Sequence, residues 1–358
     1  MYTILSIDGG GIRGIIPGQV LVTLEAKLAE QVRQTPVLGP LFPDGVRLAD
    51  FFDFFAGTST GGILTNLYLC PDAKNPFRPR FSAQNAVDLY LEHGDAIFEI
   101  PIWKTIESAG GVLDEKHDAT QLERLLKRYF GNVKLSELLR PCLVTAYDIR
   151  KRRTYFFNQH DAKQKGNPFD FYVRDICRAT SAAPTYFETA LIHSLEDVAY
   201  PLVDGGVFAN NPALCAYSEV RTMLPEKTAK DMLIVSLGTG SQNEPYSYNV
   251  ARNWGSIGWV RPVIDIMMSG AAEVTNYHLT KMFEAVKRPD QYVRIQPTDL
   301  GDADTAMDNA TPKNMKALLE VGKTTARDCG DTLDELTKTL VSNKVKQVAK
   351  EQAIVAGQ

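Results

Sequence analysis

The residues best suited to chemistry in this chain are a serine set between glycines, Gly57-Thr58-Ser59-Thr60-Gly61. A serine hydroxyl attacks an ester carbonyl only when it is presented on a tight turn, when a neighbour takes its proton, and when donors meet the charge developing on the carbonyl oxygen. The pentapeptide supplies the first condition. It follows the apolar run Phe51-Phe52-Asp53-Phe54-Phe55-Ala56 and leads into the helix-competent stretch from Gly62 to Cys70. That order is strand, tight turn, helix, a nucleophile elbow in which Gly57 and Gly61 stand where a Cβ would strike neighbouring backbone. An ordinary glycine-rich turn has the same letters, so other segments must decide.

Directly after the opening strand comes Asp8-Gly9-Gly10-Gly11-Ile12-Arg13-Gly14. Gly9, Gly11 and Gly14 have the G-x-G-x-x-G spacing of a nucleotide-binding loop, and a nucleotide-binding or nucleotide-gated protein is the alternative reading. That reading needs an acidic residue closing a second strand about 20 residues on, to hold the ribose hydroxyls. The next convincing strand begins only near Phe51, and Asp8 stands where it would repel a pyrophosphate. The other use of consecutive glycines before a helix is a nest of free N–H groups aimed at one oxyanion. Gly10 and Gly11 would be its donors, Gly9 and Gly14 its supports, and Arg13 a brace on nearby backbone carbonyls.

The histidines offer no clear base. His93, His117 and His160 fall in polar contexts, His193 lies between apolar residues and a polar turn, and His278 stands on an expected helix. Asp204 is better placed, in Tyr200-Pro201-Leu202-Val203-Asp204-Gly205-Gly206-Val207, because it closes a strand and precedes two glycines. Sites in open parallel sheets gather at such carboxyl ends. An Asp-Gly turn closing a hairpin is the competing interpretation.

The elements that must hold these groups are legible as apolar runs at Thr3–Ile7, Phe51–Ala56, Leu143–Asp148, Tyr200–Val203, Leu233–Leu237 and Tyr292–Ile295, with helical patterns between most of them. Continuous apolarity means burial on both faces, and the alternation predicts a largely parallel sheet between helical layers. Helices are expected at Pro17–Glu30, Gly61–Leu69, Gln84–Phe98, Thr120–Tyr129, Pro212–Leu224, Val263–Val286, Pro312–Cys329 and Asp331–Leu340. From Val341 a polar helix or frayed tail is expected.

The 358 residues are 44% hydrophobic with a net charge of −4, which argues against a nucleic-acid partner drawn by a positive field. The run Arg150-Lys151-Arg152-Arg153 reads as a solvated turn. Five scattered cysteines without C-x-x-C spacing suggest buried thiols of a reducing compartment, and neither a disulfide framework nor a metal site. With no basic leader and no run of roughly 18 apolar residues, a cytoplasmic protein with peripheral membrane contact is expected. The stretch from Trp254 to Met268 is rich in large apolar side chains and would line a groove, touch a bilayer or pack on the sheet; Trp254 and Trp259 are the candidate interfacial anchors.

Taken together, the glycine loop, G-x-S-x-G and D-G-G, in that order and at wide separations, resemble the patatin-like phospholipase family. The likeness extends through Ala182-Ala183-Pro184 and Trp254–Leu279 and covers approximately Thr3 to Leu319. The resemblance implies a three-layer α/β/α fold, with a family domain over 1–325 and a C-terminal helical extension or tail over 326–358. It also implies a Ser59-Asp204 dyad without histidine, an oxyanion hole at Gly10 and Gly11, and no cofactor or metal. The implied substrates are phospholipid, lysophospholipid or galactolipid esters, cleaved through an acyl-serine intermediate. An aspartate with an ordinary pKa near 3.9 is a poor base, so burial beside apolar walls would have to raise it.

Overall fold

The computed structural model describes residues 1–98, 119–241 and 245–356. Strands β1 (Tyr2–Ile7), β2 (Phe54–Gly57), β3 (Cys142–Asp148), β4 (Arg153–Asn158), β5 (Ala190–His193), β6 (Ala199–Asp204), β7 (Met232–Leu237) and β8 (Tyr292–Ile295) form one sheet. The longer helices among the described residues are α1 (Ile15–Arg33), α2 (Thr60–Leu69), α3 (Ala83–Phe98), α4 (Thr120–Phe130), α5 (Gln159–Lys165) and α6 (Val173–Thr180), followed by α7 (Ala213–Met223), α8 (Ser256–Ala285), α9 (Pro312–Asp328) and α10 (Gly330–Ala356).

The strands are apolar on both faces because each face has its own core. Leu5 and Ile7 of β1, Phe55 of β2, Val144 and Ala146 of β3, and Leu233, Val235 and Leu237 of β7 pack with α1, α2, α3, α9 and α10. The alternate residues Ile4, Phe54, Ala56, Leu143, Met232 and Ile234 pack with Ala213, Ala216 and Val220 of α7 and with Leu279 and Phe283 of α8. A strand period of two thus feeds two separate helical layers, giving a three-layer α/β/α sandwich.

The sheet order is β5-β6-β3-β2-β1-β7-β8, with β4 on β3. Pairing is parallel from β3 through β2, β1 and β7 to β8. It is antiparallel where β3 meets β4 and β6, and where β6 meets β5. The expectation of a largely parallel sheet therefore describes the centre and one side. Asp204 ends β6, which runs against the parallel strands, and its carboxyl end comes up against the carboxyl end of β2.

Elements not anticipated are β4, β5, α5 and α6. The expected strand at Phe51–Ala56 begins at Phe54, because Phe51 and Phe52 enter the core from a turn over Leu48–Asp50. The long α8 starts at Ser256 and passes through Pro262, earlier than the expected start at Val263. Its early turns are tied back by an edge-to-face contact of Trp254 and Trp259, centroids 4.9 Å apart. The last helix continues to Ala356, and Leu333, Leu336, Leu340, Val341 and Val348 join the main core.

Candidate active site

Ser59 stands between β2 and α2 with φ 54° and ψ −123°, a conformation that L side chains rarely adopt and that stores about 1–3 kcal/mol. The surroundings hold it there. Its N–H donates to Thr180 Oγ1 (2.9 Å), whose hydroxyl donates in turn to Thr145 O (2.7 Å). Thr58 Oγ1 donates to Ala209 O (2.7 Å), so its one proton is used and it accepts from Thr145 Oγ1 (2.8 Å). A Cβ on Gly61 would lie 2.1 Å from Ile7 O, so only glycine lets α2 start this close to β1.

The route by which Asp204 reaches Ser59 follows from register. Along β3, Leu143 and Val144 pair with Ala56 and Gly57 of β2, while Ala146 and Asp148 pair with Asp204 and Leu202 of β6. The other edge of β3 is occupied by β4 over Leu143–Asp148. The strands β2 and β6 therefore share one edge of β3 end to end, running toward each other, and their carboxyl ends meet. One carries the elbow and the other ends on the carboxylate.

The glycine loop closes the site from β1. The Gly9 N–H donates to Asn210 O (3.1 Å), and Gly9 O accepts from Thr239 Oγ1 (2.8 Å). Ile12 N–H donates to Met307 O (2.9 Å) and Arg13 N–H to Gly10 O (3.2 Å). Among the described residues the N–H groups of Gly10 and Gly11 have no acceptor. Gly11 has φ +58°, and a Cβ there would lie 2.1 Å from Met307 O. Gly14 ends the loop's 3₁₀ turn against Thr60. Buried Arg13 reaches Gly10 O through Nε at 3.5 Å. Burial pulls its pKa down, and the charge of Asp265 is the larger of the opposing influences.

Gly10, Gly11, Ser59 and Asp204 line one narrow cavity whose other walls are mostly apolar, among them Ile63, Leu89, Leu122, Leu126, Phe187 and Met268. Asp204 is 1% exposed. Burial pushes its carboxyl up to about 7, opposed first by the Ser59 side chain and then by the Gly206 N–H. The Gly206 contact is a full hydrogen bond to Oδ1 at 2.7 Å. Oδ2 is buried with no partner of good geometry, so Ser59 lies beside the carboxylate without an aligned bond to it.

The structure places the histidines elsewhere. Among the described residues none lines this cavity; His278 is exposed on α8 beside Tyr277, and His193 is the exposed last residue of β5. His117 lies outside the described residues. No cluster of metal-ligating side chains occurs among the described residues, and no helix there is long and apolar enough to cross a membrane.

Residues 5–217 match the family described as patatin-like phospholipase. The chain is 33% identical to patatin group J-1 of Solanum tuberosum, an alignment spanning 97% of this chain and 91% of the relative. It is 35% identical to patatin-like protein 1 of Arabidopsis thaliana, over 90% of this chain and 81% of the relative. This chain belongs to the patatin-like phospholipase family.

Several residues of this patatin-like site escaped sequence reasoning. Thr145 and Thr180 hold the elbow yet look in sequence like strand and helix filler. Asn210, six residues past Asp204, links two loops by donating from Nδ2 to Gly9 O (3.4 Å). Arg294 on β8 forks onto Asp8 beneath the glycine loop. A polar residue embedded in an apolar run was the only available signal for Thr145 and Arg294.

Proposed function

We propose that this patatin-like protein is a lipid acyl hydrolase of the phospholipase A, lysophospholipase or esterase kind, with Ser59 as nucleophile and Asp204 as its base. The observation that carries the reading is the meeting of a strained serine, a buried carboxylate of raised pKa and two unengaged N–H groups on one apolar cavity. Asp204 takes the Ser59 proton as Oγ attacks the acyl carbonyl, and the Gly10 and Gly11 N–H groups receive the oxyanion. The N-terminal end of α2 adds a positive dipole at the serine. The alcohol leaves with the Asp204 proton, and water then hydrolyses the acyl-Ser59 ester.

The apolar walls fit a fatty acyl chain, and the same cavity suits a nucleotide diphosphate poorly. Exposed Trp259, Val263, Ile266, Met267, Val274 and Tyr277 recur along α8 at helical spacing. Met268 of the same helix lines the cavity, so this face is suited to rest on a lipid surface while the cavity takes an acyl chain. A fluorophosphonate probe is the direct test. Labelling of the native protein and not of Ser59→Ala, with fatty acid released from phospholipid, lysophospholipid or galactolipid, supports the assignment; unchanged labelling of Ser59→Ala overturns it.

A further inference from the structure

A second cavity adjoins the first. It measures about 340 Å³ and is polar, with Asp8, Arg13, Asn210, Thr239, Glu273 and Arg294 in its lining. Met268 and Met307 line both cavities. The two approach each other at Gly206: the point where a Cβ would stand there lies 3.0 Å from Met268 Cε, 3.2 Å from Asp204 Oδ1 and 3.4 Å from Asn210 Oδ1. Asp204 borders the apolar cavity and Asn210 the polar one. Both Asp204 Oδ2 and Asn210 Oδ1 are buried acceptors without a donor among the described residues. The donation from Asn210 Nδ2 to Gly9 O sets which end of that amide carries the open acceptor.

This arrangement bears on the second half of the reaction and rests on Ser59 being the nucleophile. Once an acyl chain fills the apolar cavity, that side excludes water, yet the acyl-enzyme must be hydrolysed. We propose that the hydrolytic water reaches acyl-Ser59 from the polar cavity across the Gly206 seam, with Asn210 Oδ1 and the Asp204 carboxylate as its acceptors and the Met268 methyl as the movable wall. The water oxygen bonds to the acyl carbon as its proton passes to Asp204. The carbon–Oγ bond then breaks, Ser59 Oγ recovers that proton, and the fatty acid departs.

The route has a signature that a purely structural role for Met268 lacks. A short acyl group leaves the apolar cavity open to water, whereas a long one makes the seam the remaining path. Deacylation is read from the steady state after the p-nitrophenol burst, and from the mass of acyl-Ser59, for p-nitrophenyl decanoate and acetate. In Met268→Phe the ratio of decanoyl to acetyl deacylation falls by about 10-fold or more relative to native protein, a size in keeping with displacing one reactant, and decanoyl-Ser59 accumulates. Met268→Ala, which removes volume, moves the ratio the opposite way and keeps the test open should the larger side chain prevent folding. A ratio unmoved in the folded variants overturns the route and leaves the Ser59 assignment standing. Undiminished hydrolysis of both esters by Ser59→Ala overturns both.

Discussion

Arg294 grips both carboxylate oxygens of Asp8, Nη1 to Oδ1 at 2.9 Å and Nη2 to Oδ2 at 2.6 Å, at the residue that immediately precedes the glycine loop. Nη1 also donates to Ser236 Oγ (2.9 Å), so three neighbouring strand ends are tied by one guanidinium. Burial pushes the Asp8 carboxyl up and Arg294 pulls it back. Arg294→Gln leaves that carboxylate uncompensated and should cost about 3–5 kcal/mol of stability at neutral pH. In urea titrations the loss should shrink as pH falls, since protonating Asp8 removes the buried charge. A pH-independent loss would mean that the pair acts only through packing.

Ser59 holds a backbone conformation that glycine adopts freely. Ser59→Gly should abolish ester turnover and unfold about 1 kcal/mol less easily than Ser59→Ala, which keeps a Cβ at positive φ. Thermal denaturation of the two variants side by side checks this, and equal stabilities would show that the elbow is not strained.

The proposed base should announce itself in two pH dependences. With the Asp204 carboxyl raised to about 7, turnover should climb as pH passes from 6 to 8 and be lost below, where the carboxyl is protonated. The same shift has an opposite sign for stability. A raised carboxyl pKa means that the folded state prefers the neutral form, so the ionised form is a penalty absent below about 4 and fully present above about 7. Asp204→Asn should therefore be inactive yet progressively more stable than native protein across that window, by up to about 4 kcal/mol for a shift of this size. Calorimetric melting at pH 4 and pH 8 measures the difference, and identical gaps at both would refute it.

Gly11 is the loop position least able to accept a side chain. Gly11→Ala would push against Met307 O at φ +58° and displace the N–H groups proposed to receive the oxyanion. We expect kcat to drop by about 10²–10³ with little change in KM, the size seen when one such donor is lost. A rise in KM with unchanged kcat would place the loop in substrate binding instead.

The exposed apolar row of α8 should matter for lipid surfaces alone. Trp259→Ala combined with Ile266→Ser removes two large contacts, each worth about 1.5–3 kcal/mol when buried. Hydrolysis of phospholipid vesicles should fall at least about 10-fold while a soluble short-chain ester is cleaved at the native rate. Equal losses on both would point to damage within the site.

What was readable in advance, and what was not, divides by the range of the interactions involved. The elbow and glycine loop are largely local: a Cβ on Gly57 would lie 2.2 Å from Gly61 O in the same turn, and Gly11 is required by its own φ of +58°, so their spacing is written in the chain. The continuous apolarity of β1, β2 and β7 likewise reports burial on both faces. The direction of β6 is not local, because it depends on pairing with β3, more than fifty residues earlier, and an apolar run looks the same in either direction. Edge strand β4 begins with charged and exposed Arg153, and β5 alternates over only four residues. Thr145 and Thr180 carry the elbow's hydrogen bonds, yet their side chains suit strand and helix interiors equally well, and nothing short of the fold reveals that their hydroxyls meet Thr58 and Ser59.

Because Val144 faces Gly57 and Ala146 faces Asp204, Thr145 is the single rung between the two strand tips. The gap between hydroxyl and carboxylate is consequently quantised, adjustable only in steps of about 3.3 Å as residues are added to or deleted from β3. Each odd step would also turn one tip's side chains toward the wrong helical layer. Lineages carrying this framework can vary the cavity walls one side chain at a time, while the ruler separating the two tips admits no gradual revision.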